Sequence, residues 1–370
     1  MKYNQRNKSY FTERQIIKMA NQKRISDYVK IGNLPTGKYN KITDVKGLKV
    51  GHTTIKNDVS YTGVTVILPT EKNLFTHKLP AATFVLNGFG KSAGLIQIDE
   101  LGTLEAPIAL TNTLNVGKVL DGMMDYVIDQ CEKDGVDLRS INIPVLECND
   151  SEINNIRLRA VEQKHVKEAI ENVCEDFDEG DVGAGTGTKC HGFKGGIGSA
   201  SRIMDINGDK YTLGVLIQTN YGHVEDLRID GHKVGLKLQE KIESQKVTEN
   251  GSVIVVVATD APLSSRQLKR ALKRVAVGLI RDGSYTSHGS GEVFLGFSTA
   301  NEIVTSDDYY HSATYLKDDH MNYVFKAVGE AVEEAVLNSM INSNAVKTLK
   351  GPILPALKDY IDDIKDDIRN

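Results

Sequence analysis

The sequence predicts an α/β protein of stacked sheets flanked by helices, not a doubly wound parallel sheet. Short β-branched runs bounded by Gly or Pro come in pairs. Amphipathic helical stretches also come in pairs, and no regular β-α-β-α alternation links the two kinds of segment.

The elements follow in chain order. Residues 1–30 read as a polar helical leader. "NLPTGKYNKITDVKGLKVGH" carries turn signals and short strands, and "YTGVTVILP" and "AATFVLNG" are strand-like. "APIALTNT" and "SINIPVLECND" are two more strand candidates; between them Val119, Leu120, Met123, Met124 and Val127 recur at helical spacing. "LRAVEQKHVKEAIENVCEDF" is a second helix, followed by the glycine-rich "GDVGAGTGTKCHGFKGGIGSAS". "SRIMDINGDKYTLGVLIQTNYG" is a hairpin, because Asn207-Gly208 is a strong turn signal between apolar runs. "HKVGLKLQEKIESQKVTENG" is the most linker-like stretch. "SVIVVVATDAP" has no polar alternation, as expected of a strand buried on both faces. "SSRQLKRALKRVAVGLIRDG" is a helix capped by Ser264 or Ser265, "GEVFLGFSTAN" a strand, and "NYVFKAVGEAVEEAVLNSMI" a long helix that closes the core. The organisation expected is a leader at 1–30, one main domain at 31–344 and an acidic tail at 345–370 that is frayed or used at a surface.

The bulk numbers narrow the function. At 370 residues, 40% hydrophobic and 25% charged, the chain is an ordinary globular protein with room for a sizeable core. A net charge of −4 with scattered basic residues gives no nucleic-acid footprint. The run Arg266, Lys269, Arg270, Lys273 and Arg274 has the spacing of a wet helix face. Cys131, Cys148, Cys174 and Cys190 form no C-x-x-C pair, and the N-terminus lacks an apolar signal core. No apolar stretch is long enough to span a bilayer, so a cytoplasmic protein with reduced thiols and no membrane partner is expected.

Several motifs fall short of the chemistry they suggest. Gly90 to Gly94, "GKSAG", matches G-x-S-x-G, but the β-α alternation of an α/β-hydrolase is missing after residue 200. "GAGTG" from Gly183 has neither Walker nor Rossmann spacing, since Thr188 stands where the third glycine belongs; a tight loop or backbone-lined wall is expected. His191 follows Cys190, and His223 lies two residues before Glu225, without a paired ligand motif. Neither metal nor cofactor is expected.

Gly251-Ser252 opens one of the most apolar strands in the chain. A turn explains the pair by itself. The alternative is a self-cleavage site: the glycine tolerates a strained peptide, the serine hydroxyl attacks it, and ester hydrolysis frees a new N-terminal serine. The α-amine of that serine, with an ordinary pKa of about 7.7–8.0, suits a general base near neutrality. Two other segments favour the alternative. Ser290 and Glu292 alternate around Gly291 at a second strand entry, and Asn220 ends a third strand with an amide that can donate to an oxyanion.

Together the blocks "FVLNGFGKSAGLIQIDELGTLEAPIALTNTLNVG", "GDVGAGTGTKCHGFKGGIGSASR", "LGVLIQTNYG", "NGSVIVVVATDAPLSSRQLKRAL" and "GSYTSHGSGEVFLGFSTAN" resemble the DmpA-type L-aminopeptidase/D-esterase (β-aminopeptidase) family over most of the chain. The resemblance implies a four-layer αββα sandwich similar to N-terminal-nucleophile hydrolases. It implies autocleavage between Gly251 and Ser252, a homo-oligomer of cleaved protomers and no metal. Ser252 would be the nucleophile, Ser290 and Glu292 its activating partners, Asn220 the oxyanion donor, and Glu147 in "LECND" the carboxylate that binds the free amine of a peptide, amide or ester substrate. One departure is Asn149, where the family pattern has a tyrosine. Two rival functions are an acyltransferase of the ornithine acetyltransferase type, whose members carry threonine at the cut, and a catalytically silent binding homologue.

Overall fold

The structure, a computed structural model, describes residues 22–242 and 251–368. Its longer strands are β1 (Lys49–Lys56), β2 (Tyr61–Leu68), β3 (His77–Gly88), β4 (Ile108–Asn112), β5 (Val145–Cys148), β6 (Ile197–Ile206), β7 (Asp209–Asn220), β8 (Ser252–Thr259) and β9 (Gly291–Ser298). The helices are α1 (Ile96–Leu101), α2 (Val116–Lys133), α3 (Gln163–Glu171), α4 (Gly235–Gln239), α5 (Ser265–Leu272), α6 (Val275–Arg281), α7 (Met321–Ile341) and α8 (Ile361–Ile368).

Two sheets stack face to face. One runs β1-β2-β4-β5; the other runs β3-β9-β8-β7-β6, with the short strand Ile303–Val304 outside β3. The β8–β9 pair is parallel and its neighbours β7 and β3 are antiparallel to it. Alternation along β8 shows how the layers form. Val253, Val255 and Val257 pack with α5, α6 and α7, while Ile254, Val256 and Ala258 pack with Ile67, Leu110 and Leu146 of the facing sheet. All eight residues of β8 are buried, which accounts for its unbroken apolar run. Each fully buried Val or Ile contributes about 1.5–3 kcal/mol. Val119, Met123 and Val127 of α2 and Val166 of α3 cover the outer face of the first sheet. The result is the four-layer αββα sandwich.

Local chemistry sets several boundaries. Asn207 and Gly208 both take positive φ, 58° and 92°, closing the β6–β7 hairpin as a primed turn. Ser264 is the residue that caps α5: its Oγ accepts from Gln267 N at 3.3 Å while Gln267 Oε1 accepts from Ser264 N at 3.0 Å. The single helix expected after it is two, α5 and α6, separated by a turn at Lys273 and Arg274. Its basic face is solvated and paired with acids, Arg266 with Asp318 at 2.8 Å and Lys269 with Asp99 at 2.5 Å.

The chain ends differ from expectation. Of the leader, residues 1–21 lie outside the described residues, and 24–29 hold only a single turn of 3₁₀ helix, Ile25–Asp27. Ile25 is fully buried and its N–H donates to Asn338 Oδ1 at 3.0 Å, while Arg24 pairs with Glu179 at 2.7 Å. Up to residue 368 the acidic tail is folded against the core. Ile361, Ile364 and Ile368 of α8 share one face and enter the core, leaving the aspartates outside. The linker-like stretch contains α4, whose Leu238 is buried; Lys237 pairs with Asp367 of α8 at 2.6 Å. Residues 243–250 of that stretch lie outside the described residues. The core therefore extends beyond the 31–344 boundary at both ends, because spaced isoleucines in polar surroundings find partners only in the assembled fold.

Candidate active site

Sheet register brings the predicted residues together. Ser252 is the first residue of β8, paired with Asn220 at the end of β7 on one side and with Gly291 at the start of β9 on the other. Ser252 shares its face with Ile254 and Val256, so its hydroxyl points into the space between the sheets. Two donors reach it: Asn220 Nδ2 and the backbone N–H of Asn149, each 3.3 Å from Ser252 Oγ. The amide of Asn220 is oriented from behind, because its Oδ1 accepts from Lys189 N at 3.4 Å. Asn149 is held in a tight turn by Ser151 N, which donates to Asn149 Oδ1 at 3.0 Å.

Ser290 and Glu292 flank Gly291, and Ser290 Oγ donates to Glu292 Oε1. Gly251 shows where this pair lies. A Cβ built there would stand 3.1 Å from Ser290 Oγ, 3.2 Å from Asn220 O and 3.2 Å from Tyr221 Cβ. The hydroxyl–carboxylate pair thus abuts the residue before Ser252, and a side chain at Gly251 would press on three neighbours. Burial pushes the Glu292 carboxyl above its ordinary range, against the opposing hydrogen bond from Ser290. Its Oε2 has no hydrogen-bond partner among the described residues.

Glu147 comes from the facing sheet, on β5, and is buried. Lys91 N donates to its Oε1 at 2.9 Å and Thr113 Oγ1 donates to its Oε2. The G-x-S-x-G loop therefore contributes backbone, not a nucleophile elbow. Its Gly90 approaches both Glu147 and Val293 of β9, and Phe89 O lies 2.5 Å from where a Cβ on Gly291 would stand. A bare glycine lets the loop pass between the two sheets at the strand ends.

The glycine-rich segment, expected to be a tight loop or a backbone-lined wall, folds as a tight loop with a single 3₁₀ turn at Gly183–Gly185. Gly183 to Gly187 are buried, and fully buried Lys194 donates to the carbonyls of Gly185 (3.0 Å), Thr188 (2.8 Å) and Gly195 (2.6 Å). Burial lowers the Lys194 ammonium to about 7.

Sequence reasoning did not identify the main-chain N–H groups of Asn149, Lys91 and Lys189, nor Thr113 and Asn87. Asn87 Nδ2 donates to Ser287 O at 3.1 Å and also to Ser290 O, fixing the turn that carries Ser290. None of these has a sequence signal, since main-chain donors, like the side chains of Thr113 and Asn87, find their partners only through where the chain runs.

Comparison with known proteins bears on this geometry. The family model Peptidase family S58 matches residues 40–353. The chain belongs to peptidase family S58. It is 35% identical over 340 residues to "Beta-peptidyl aminopeptidase BapA" of Sphingosinicella microcystinivorans, covering 85% of this chain and 84% of that protein. Among solved structures it is similar to the PH0078 protein from Pyrococcus horikoshii OT3, with a TM-score of 0.88, 45% identity and coverage of 94% of this chain and 99% of that one. It is also similar to the L-aminopeptidase D-Ala-esterase/amidase from Ochrobactrum anthropi, described as a prototype serine aminopeptidase and a variant of the Ntn hydrolase fold (TM-score 0.85, 31% identity, 92% and 98% covered). This S58 member is accordingly a hydrolase of the aminopeptidase/amidase kind on an Ntn hydrolase fold.

Proposed function

We propose that this S58 chain cuts itself between Gly251 and Ser252 and then works as an N-terminal serine aminopeptidase. One observation carries the reading: two N–H donors converge on the hydroxyl of a serine that begins a wholly buried strand, directly after a glycine enclosed by Ser290, Asn220 and Tyr221.

The positions of these groups support the following reaction. Ser252 Oγ attacks the substrate carbonyl carbon and forms a C–O bond. Its proton passes to the freed α-amine or to the adjoining Ser290–Glu292 pair. The oxyanion takes hydrogen bonds from Asn220 Nδ2 and Asn149 N–H. Collapse breaks the C–N bond, the leaving amine takes the proton, and water hydrolyses the acyl ester. Glu147, a buried carboxylate across the cleft, would hold the substrate's ammonium and so select a free N-terminus. The β-peptidyl aminopeptidase activity for which the BapA relative is named supports β-aminoacyl peptides and amides as the substrates to try first. Ser252 rather than threonine at the cut favours hydrolysis over acyl transfer.

We further infer a homo-oligomer of cleaved protomers. Exposed Val85, Leu86, Phe89, Ile96 and Leu101 fall in one short stretch, as a surface covered by another copy would require. Light scattering on the purified protein measures this directly. For the cut, intact-mass spectrometry of active protein is expected to show two pieces, 1–251 and 252–370. Full activity with a single uncut chain would overturn the reading.

A further inference from the structure

Beneath the site lies a buried polar cluster that the reaction above does not use. His191, Asp282 and Tyr221 are buried, with no more than 4% exposure. Tyr221 OH donates to Asp282 Oδ2 at 2.9 Å. His191 Nε2 lies 3.2 Å from Asp282 Oδ1 and His191 Nδ1 lies 3.1 Å from His223 O. A carbonyl only accepts, so Nδ1 carries a proton, and a further proton sits between Nε2 and the carboxyl oxygen. The two rings meet edge to face, centroids 5.3 Å apart.

The cluster sits at a seam between two chain segments. Cys190 bridges Tyr221 in parallel register, and His191 N donates to Tyr221 O at 2.7 Å. On one side of the seam is Lys189, whose N–H faces Asn220 Oδ1; on the other is Asn220 itself, next to Tyr221. Lys189 N–H decides which end of the Asn220 amide faces Ser252. Reversed, the amide would offer a carbonyl lone pair to a developing negative charge. Asp282, at the end of α6, grips both sides of the seam at once through His191 and Tyr221. The backbone is drawn tight there. His191 has φ +46°, and a Cβ on Gly222, itself at φ +86°, would fall 2.5 Å from His191 Nδ1. Apolar side chains of the same volume would fill the space and stabilise the core at least as well. What they would not supply is direction.

We propose that the His191–Asp282–Tyr221 cluster is a positioning device that sets the orientation of the Asn220 amide toward Ser252. It rests on the reading of Asn220 as an oxyanion donor, and it acts through Asn220 rather than on the substrate.

The test is a double-mutant cycle on the full-length protein with a β-alanyl anilide as substrate, rates being referred to cleaved chain. His191→Asn tolerates the left-handed backbone and keeps a donor toward His223 O while removing the Asp282 contact. It is expected to lower kcat roughly ten- to hundred-fold with KM within about two-fold, since only the transition state needs the oriented donor. Asn220→Ala is expected to lower kcat by about 10²–10³. In the Asn220→Ala background the His191→Asn penalty should vanish. Tyr221→Phe, which keeps the ring and the packing, should show the same pattern at smaller size and serves if His191→Asn folds poorly. An equal penalty in both backgrounds, or a change confined to KM or to thermal stability, would overturn the positioning role. A normal kcat in Asn220→Ala alone would instead remove the oxyanion reading, and the proposal with it.

Discussion

Two buried polar clusters, one around Arg202 and one around Ser252, draw on the same sheet yet are completed differently. Arg202, on β6, donates to the carbonyls of Ser201 (2.8 Å), Ile31 (2.8 Å) and Glu330 (3.2 Å). It also meets the carboxylates of Glu330 at 3.2 Å and Glu334 at 2.8 Å. Glu330 in turn accepts from Leu34 N at 2.9 Å, and Glu334 from Asn40 Nδ2 at 2.5 Å. Each of these groups holds another, and the outcome is structural: residues 31–40 are fastened onto α7. The Ser252 cluster has the opposite economy. Two donors aim at one hydroxyl, and Glu292 keeps an oxygen without a partner among the described residues, its carboxyl raised by burial. Saturated polar groups hold a fold together, whereas unsaturated ones in a cleft are poised for a ligand or a proton.

Ser252→Ala breaks the open cluster most severely. It is expected to abolish self-cleavage and to lower kcat by about 10⁴-fold or more, with little loss of stability, as denaturing electrophoresis and a thermal melt together would show. The matching blow to the closed cluster is Arg202→Met. It leaves two buried carboxylates without their cation and should cost about 3–5 kcal/mol in urea unfolding. The molecules that stay folded should keep their turnover rate; a selective drop in kcat would mean the two clusters are not separate.

Glu147→Gln sharpens the contrast from the substrate side. Losing a charge-assisted contact of about 1.5–3 kcal/mol should reduce kcat/KM for free-amine substrates roughly ten- to hundred-fold. An N-acetylated analogue should be hydrolysed no worse by the variant than by the wild type.

The smallest effect concerns Glu292. Its folded-state pKa is raised, so the folded protein holds this proton more tightly than the unfolded chain does. The stability it brings is present below the ordinary value of about 4.3 and is lost as pH rises through the folded pKa. Glu292→Gln should therefore melt slightly higher than wild type at pH 7, with the gap closing below about pH 4, while its hydrolysis slows. A lower melting point at neutral pH would show that the ionised carboxylate is a stabilising partner after all, as in the Arg202 cluster.

Much of the fold could be read from residue patterns. The unbroken apolar run of β8, the Asn207-Gly208 turn and the Ser264 cap each have a local physical cause that operates in the sequence itself. The chain ends could not be read this way. Three isoleucines among the aspartates of 361–368 look solvated until a core is offered to them, and Ile25 reveals nothing of its burial by its neighbours in sequence.

The site divides along the same line. Ser252, Ser290, Glu292 and Asn220 were legible as side chains at strand ends, because strand alternation and residue chemistry are local properties, whereas Glu147 was reached only through the family resemblance. The partners that orient them were not. The N–H groups of Asn149, Lys91 and Lys189 look like any other backbone donor in a sequence, and Asp282 lies 91 positions from the histidine it meets. Sequence by itself determined which groups could react and which segments would be strands. The pairing of Asn220, Ser252 and Gly291 side by side, and hence the direction each group points, was decided only by the tertiary structure, because sheet register joins residues that have no covalent reason to be near one another.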